Sequence, residues 1–234
     1  QAILDPGDVL VLPPFVFHHV TAISTVSLSV NAWASGGAVE RVQGLQRAPA
    51  AHFGLVEPSS GTQGSSGRLG SPGVFDSGWT LQLRAALLER VAQQLAARAL
   101  DESAEGARSW LNTAMRSRWA SVIHRFPRPM RKLARFCVGG MRDGREEMLE
   151  AHLRRKPLEA SEAVTMTVER SVSSAAAALR ELPAGATELE TGNLVEALAM
   201  EVLGDAKTAG SFLVLCFSTV SGQVLKDHDT RSTA

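Results

Sequence analysis

The sequence predicts an α+β protein, and three features carry that reading. The first 33 residues hold two β-prone runs, VLVLPPFVFHHV and VSLSVNAW, set among turn signals. A stretch rich in Gly, Ser and Pro follows, densest at 61–73 (GTQGSSGRLGSPG). From Trp79 onward Ala and Leu dominate, and apolar residues recur at helical spacing.

In chain order, Pro6-Gly7 signals a turn and Val9 to Leu12 a short strand. Pro13-Pro14 interrupts it, because neither proline can donate a ladder hydrogen bond, and Phe15 to Ala22 resumes. Ser24-Thr25 marks a bend. Val26 to Trp33 then alternates, which puts Leu28, Val30 and Ala32 on one side and Ser27, Ser29, Asn31 and Trp33 on the other. A polar row ending in Asn and Trp suits the ligand-lined interior of a barrel. Residues 50–73 cannot bury enough apolar surface to fold alone and read as a flexible linker or insertion.

Leu83, Leu87, Val91 and Leu95 recur every four residues and place a helix at 79–100, with Ser77 as its cap. A second helix is expected at 104–123, capped by Ser103. Its stripe runs through Trp110, Leu111, Ala114, Met115, Trp119 and Val122, and Pro127 ends it. Further helices are expected at 129–138, 144–155, 162–182 (capped by Ser161), 192–203 and 206–217. The organisation is therefore strands at 1–48, a linker at 49–78, a helical hairpin at 79–124, a helical region at 125–217 and a polar tail at 218–234.

Hydrophobic residues make up 44% of the 234 and charged ones 21%, which allows a sizeable core. The formal net charge is zero, so nothing draws the whole chain to nucleic acid or an anionic membrane, and the basic run from Arg116 to Arg135 reads as a solvated face. The apolar run Phe212 to Phe217 is too short to cross a bilayer. Cys137 and Cys216 are too few for a disulfide scaffold and read as thiols in a reducing compartment, cytoplasmic or nuclear.

The one cluster with a chemical look is Phe15-Val16-Phe17-His18-His19. Adjacent strand residues point to opposite faces, so only one histidine of the pair can enter a given pocket. A non-haem Fe(II) site needs two histidines and a carboxylate on one face of the metal. His18 can supply one ligand, but no histidine here is followed two residues later by Asp or Glu.

PGDVLVLPPFVFHHV together with VSLSVNAW resembles the closing strands of a JmjC/cupin-type barrel, the double-stranded β-helix of the Fe(II)/2-oxoglutarate dioxygenases that include asparaginyl hydroxylases. Leu81 to Leu100 followed by SWLNTAMRSRW (109–119) resembles the two C-terminal helices of that family. The resemblance covers about residues 1–122. It implies a truncated barrel edge followed by a mostly helical region, with His18 as an iron ligand. It also implies that Asn31 and Trp33 line the iron and 2-oxoglutarate pocket, that the substrate is a protein, and that 79–124 forms a homodimer interface. The family's His-x-Asp motif is absent from this sequence, so the expected activity is that of a parent dioxygenase whose fragment is inactive alone. The exposed inner face of residues 1–35 is expected to make that segment marginally stable or prone to aggregate. The competing expectation is a non-catalytic helical dimerisation or interaction module that retains only the edge of a barrel.

Overall fold

A computed structural model of the chain describes residues 3–10, 19–30, 37–55, 78–123 and 142–217. Among them the chain forms eight helices and no strand. The fold is all-α, which corrects the α+β expectation and with it the truncated cupin barrel. The chain divides into two compact units, 1–35 and 36–234.

In the first unit the turn signal is realised, and no strand forms among its described residues. Asp5 to Asp8 forms a tight turn in which the Asp8 amide donates to the Asp5 carbonyl (3.0 Å) and the Asp5 amide to Asp8 Oδ2 (2.8 Å). Gly7 takes φ +99° at the position where such a turn requires it. At the bend after Ile23 the Ser24 hydroxyl donates to the Val26 carbonyl (2.7 Å). Val26, Leu28 and Val30, expected in a ladder, are 85–92% exposed without one. β-branched residues favour strands only when neighbouring strands satisfy their backbone and cover their side chains, and no described segment does so here. His18, Asn31 and Trp33 lie outside the described residues, as do the helix expected at 129–138 and the tail.

The second unit is built around one helix. Its elements are α1 (Gly37–Arg47), α2 (Pro49–His52), α3 (Leu81–Leu100), α4 (Ala104–Ile123), α5 (Arg142–Arg154), α6 (Leu158–Arg180), α7 (Ala184–Leu203) and α8 (Ala206–Leu215). α3 packs against α4, α5, α6 and α7, while α8 packs on α4 and α7. The expected stripe Leu83, Leu87, Val91 and Leu95 is buried, and so are Ala85, Ala86, Leu88, Ala92, Ala96 and Ala99 around the rest of the helix. A helix apolar on most sides belongs inside, and its alanines let neighbouring helices approach closely.

Chain ends of helices follow local chemistry more often than the expected boundaries. Thr80 caps α3, its hydroxyl accepting from the Leu83 amide (3.3 Å), where Ser77 was expected. Asp101 ends α3 in the left-handed conformation (φ 55°). α4 spans Ala104–Ile123 as expected, and Ser103 Oγ accepts from the Gly106 amide (3.0 Å). α6 begins at Leu158 rather than at 162, entered through Pro157 with no side-chain cap. α7 begins at Ala184, eight residues before the expected start at 192. Its first two turns are held by polar residues: the Thr187 hydroxyl lies 3.1 Å from the carbonyls of Leu179 and Leu182, and Thr191 donates to the Thr187 carbonyl (2.7 Å).

α1 and α2 are helices the composition hid. Val42 and Leu45 bury one side of α1 against α6 and α7. The segment read as linker begins packed: Ala50, Phe53 and Leu55 are fully buried. Glu201 of α7 accepts from the Ala50 amide (2.9 Å) and so supplies the N-terminal acceptor that α2 lacks. Cys216, 1% exposed, is disulfide-bonded, which corrects its reading as a thiol. No described helix is long and apolar enough to cross a membrane.

Two outcomes follow from this packing. Gly54 closes α2 at φ +67°, and a Cβ there would collide with Thr167 Cγ2. Gly54→Ala is therefore expected to cost about 1–3 kcal/mol, read as a lower urea midpoint at unchanged slope. His52 is half-buried, and desolvation lowers its pKa below the ordinary 6.5. The unfolded chain then binds this proton more readily, so stability present above about pH 6.5 is lost as the pH falls toward the folded-state value. Urea titrations at pH 7.5 and pH 5.5 should show a loss in the native chain that shrinks in His52→Leu.

Candidate functional site

The described residue cluster with most chemical content lies where α3, α5 and α6 meet. On α3, positions 86, 89, 90, 93, 94 and 97 share one face by helical periodicity, and that face carries Glu89, Arg90, Gln93 and Gln94 among alanines. α5 brings Arg145, Glu146 and Glu150 opposite them, and α6 brings Thr165, Val168 and Glu169. Between the three helices is a cleft of about 460 Å³, with Leu87, Leu153 and Val168 at its buried base.

Its innermost charge is Glu89, 5% exposed. Arg145, equally buried, grips it with two hydrogen bonds, Nε to Oε2 at 2.8 Å and Nη2 to Oε1 at 3.0 Å. Gln93 Nε2 donates to Oε1 at 3.3 Å, and Arg108 of α4 approaches the same oxygen at 3.6 Å. One carboxylate thus ties α3 to α4 and α5. Further out, Arg90 reaches both Glu146 (2.6 Å) and Glu150 (2.5 Å). Those two glutamates and Glu169 stand at the mouth, 40–56% exposed.

Two polar atoms on the α3 wall are buried without a hydrogen-bond partner: Arg90 Nε and Gln94 Oε1, a donor and an acceptor one helical turn apart. A second polar cluster sits between α4 and α7. Arg118 donates to Asn193 Oδ1 (3.0 Å), to the Leu189 carbonyl (3.2 Å) and toward Glu196 (3.1 Å). Its guanidinium lies on Gly192, where a Cβ would come within 2.8 Å of it. This cluster's charged groups are engaged with one another and with the backbone of α7.

The cleft can recognise but has little to react with. Thr165 is the one hydroxyl among its lining residues, which include no His or Cys. Among the described residues no group of three or more His, Cys, Asp and Glu is placed to hold a metal ion. The expected iron ligand His18 and pocket residues Asn31 and Trp33 fall outside the described residues, so none of the site residues expected from the sequence is among those that line the cleft. Glu89 was legible only as an acid inside an Ala/Leu helix. Its signal was the alanines around it, which mark that side of α3 as buried too.

No protein-family profile, no curated protein and no solved structure matches this chain. With no strand among the described residues, the resemblance to a JmjC/cupin barrel is overturned.

Removing one member of a buried ion pair strands the other. Glu89→Ala is expected to lower stability by about 3–5 kcal/mol, measured as a drop in urea midpoint or Tm. The double variant Glu89→Leu/Arg145→Leu, which replaces the pair with apolar side chains, should recover most of that loss.

Proposed function

We propose that this chain is a non-catalytic helical interaction module. The observation that carries the reading is the state of the cleft's polar groups: Glu89, Glu146 and Glu150 are engaged with its arginines, and its one hydroxyl, on Thr165, donates to the Ser161 carbonyl. Such a site offers shape and charge to a partner without machinery for group transfer. The expectation of iron, 2-oxoglutarate and a hydroxylated protein substrate rested on the barrel resemblance and is not carried forward.

The partner is better sought outside the hairpin face expected to dimerise. Leu87 and Leu111 from 79–124 are 2% and 0% exposed within a single chain, because α6, α7 and α8 already cover that face. What α4 shows to solvent is polar, at Ser109, Thr113, Arg116 and Ser117. A homodimer through the apolar stripe would require the helices to part.

The reading makes two demands on the purified full chain. Supplied with Fe(II), ascorbate and 2-oxoglutarate, it should release no succinate above a protein-free control. Turnover would refute the non-catalytic assignment. Size-exclusion chromatography with light scattering should show a monomer alone and a stoichiometric complex with its partner, with hydrogen exchange slowed on α3, α5 and α6. A concentration-dependent dimer protected along 79–124 would place the interaction on the hairpin instead.

A further inference from the structure

We propose that the cleft between α3, α5 and α6 receives a basic peptide segment of a partner protein, an inference that rests on the interaction-module reading and names the partner's chemistry. Three independent observations meet in it. The cleft's volume, about 460 Å³, is that of a binding pocket and exceeds what packing defects leave between well-fitted helices. Its lining is layered, with Leu87, Leu153 and Val168 at the base and carboxylates at the mouth. Four glutamates line it against two arginines. Arg108 and Arg98 reach Glu89 and Glu169 from the flanks, at 3.6 and 3.9 Å. The outer carboxylates of Glu146, Glu150 and Glu169 remain 40–56% exposed and so can still meet an incoming cation.

A lysine or arginine side chain fits that layering, because its methylene stem takes apolar surface while its head stays at the charged rim. The third observation concerns the backbone of the guest. Arg90 Nε and Gln94 Oε1 are buried and lack hydrogen-bond partners, and both belong to residues lining the cleft. A buried donor or acceptor left unpaired costs about 1–3 kcal/mol. A peptide group carries both complements, a carbonyl to accept from Arg90 and an amide N–H to donate to Gln94. A simple metal cation would satisfy neither the donor nor the apolar base, whereas a basic peptide offers complements to the apolar base, the carboxylate mouth and the unpaired donor and acceptor.

The test uses the full chain and two blocked peptides, acetyl-KAKAKAK-amide and acetyl-EAEAEAE-amide, in calorimetric titrations at low and high salt. The basic peptide should bind, and its Kd should rise about tenfold as screening increases; the acidic one should not bind. Glu146→Gln/Glu169→Gln leaves Arg90 paired with Glu150 and should weaken binding several-fold in a chain of native Tm. Gln94→Met removes the orphaned acceptor. It should weaken binding while raising the Tm of the free chain, a pairing of effects that a purely structural glutamine would not produce. Spermidine separates the sources of the cation: binding as tight as the peptide's would assign the cleft to free polyamines and overturn the peptide assignment. Equal binding of both peptides, or no binding of the basic one by the folded chain, would also overturn it. A stoichiometric protein complex protected elsewhere on the surface would defeat this inference and leave the interaction-module reading standing.

Discussion

The arrangement of the helices depends on how the buried carboxylate of Glu89 is neutralised. A charge in the middle of the central helix is tolerable only with a counter-ion and filled hydrogen-bonding positions. Arg145 provides the bidentate partner from α5, Gln93 a further donor, and Arg108 a second positive charge from α4. Hydrophobic burial around α3 is non-directional and would tolerate helices sliding past one another. The guanidinium–carboxylate geometry tolerates less, so it specifies where Arg145 of α5 sits relative to the middle of α3.

The same division of labour recurs at the periphery. Apolar contacts bring segments together, and a single polar group then sets their register. Phe53 and Leu55 bury the short α2 segment, and Glu201 holds its N-terminus. Arg118 rests on Gly192, which has no side chain to displace it, and bonds to Asn193 and the Leu189 carbonyl. At the start of α8 the Asp205 carboxylate accepts from both the amide and the hydroxyl of Thr208, and those bonds hold its pKa below the usual carboxylate value. The cleft on α3 differs in keeping two buried polar atoms, Arg90 Nε and Gln94 Oε1, without partners.

Legibility along the chain varied with the strength of the local signal. α4 could be placed from Ser103 onward because a good cap precedes a run of helix formers. The start of α7 was hidden, since Gly185, Thr187, Thr191 and Gly192 are weak helix formers and their tertiary hydrogen bonds supply what propensity does not. α1 was missed behind Gly37 and Gly44, in a segment whose apolar contacts are only two residues wide. Of the candidate site the sequence showed the charges but not their meeting. Glu89 and Arg145 are 56 residues apart, and nothing in either neighbourhood announces the other.

By itself the sequence determined that the described residues from Leu81 onward are mostly helical, because apolar periodicity, caps and Ala/Leu content are local and agree with one another. It also determined the tight turn at Pro6-Gly7, for which proline and glycine backbone preferences suffice. Only the tertiary structure decided that the β-prone runs near the N-terminus do not form a sheet among the described residues. A strand's backbone must be satisfied by another strand, and propensity within a segment cannot supply one. It likewise decided that the apolar face of the 79–124 hairpin serves the chain's own core, and that Glu89 sits buried between two arginines. Each outcome depends on which distant residues share a space.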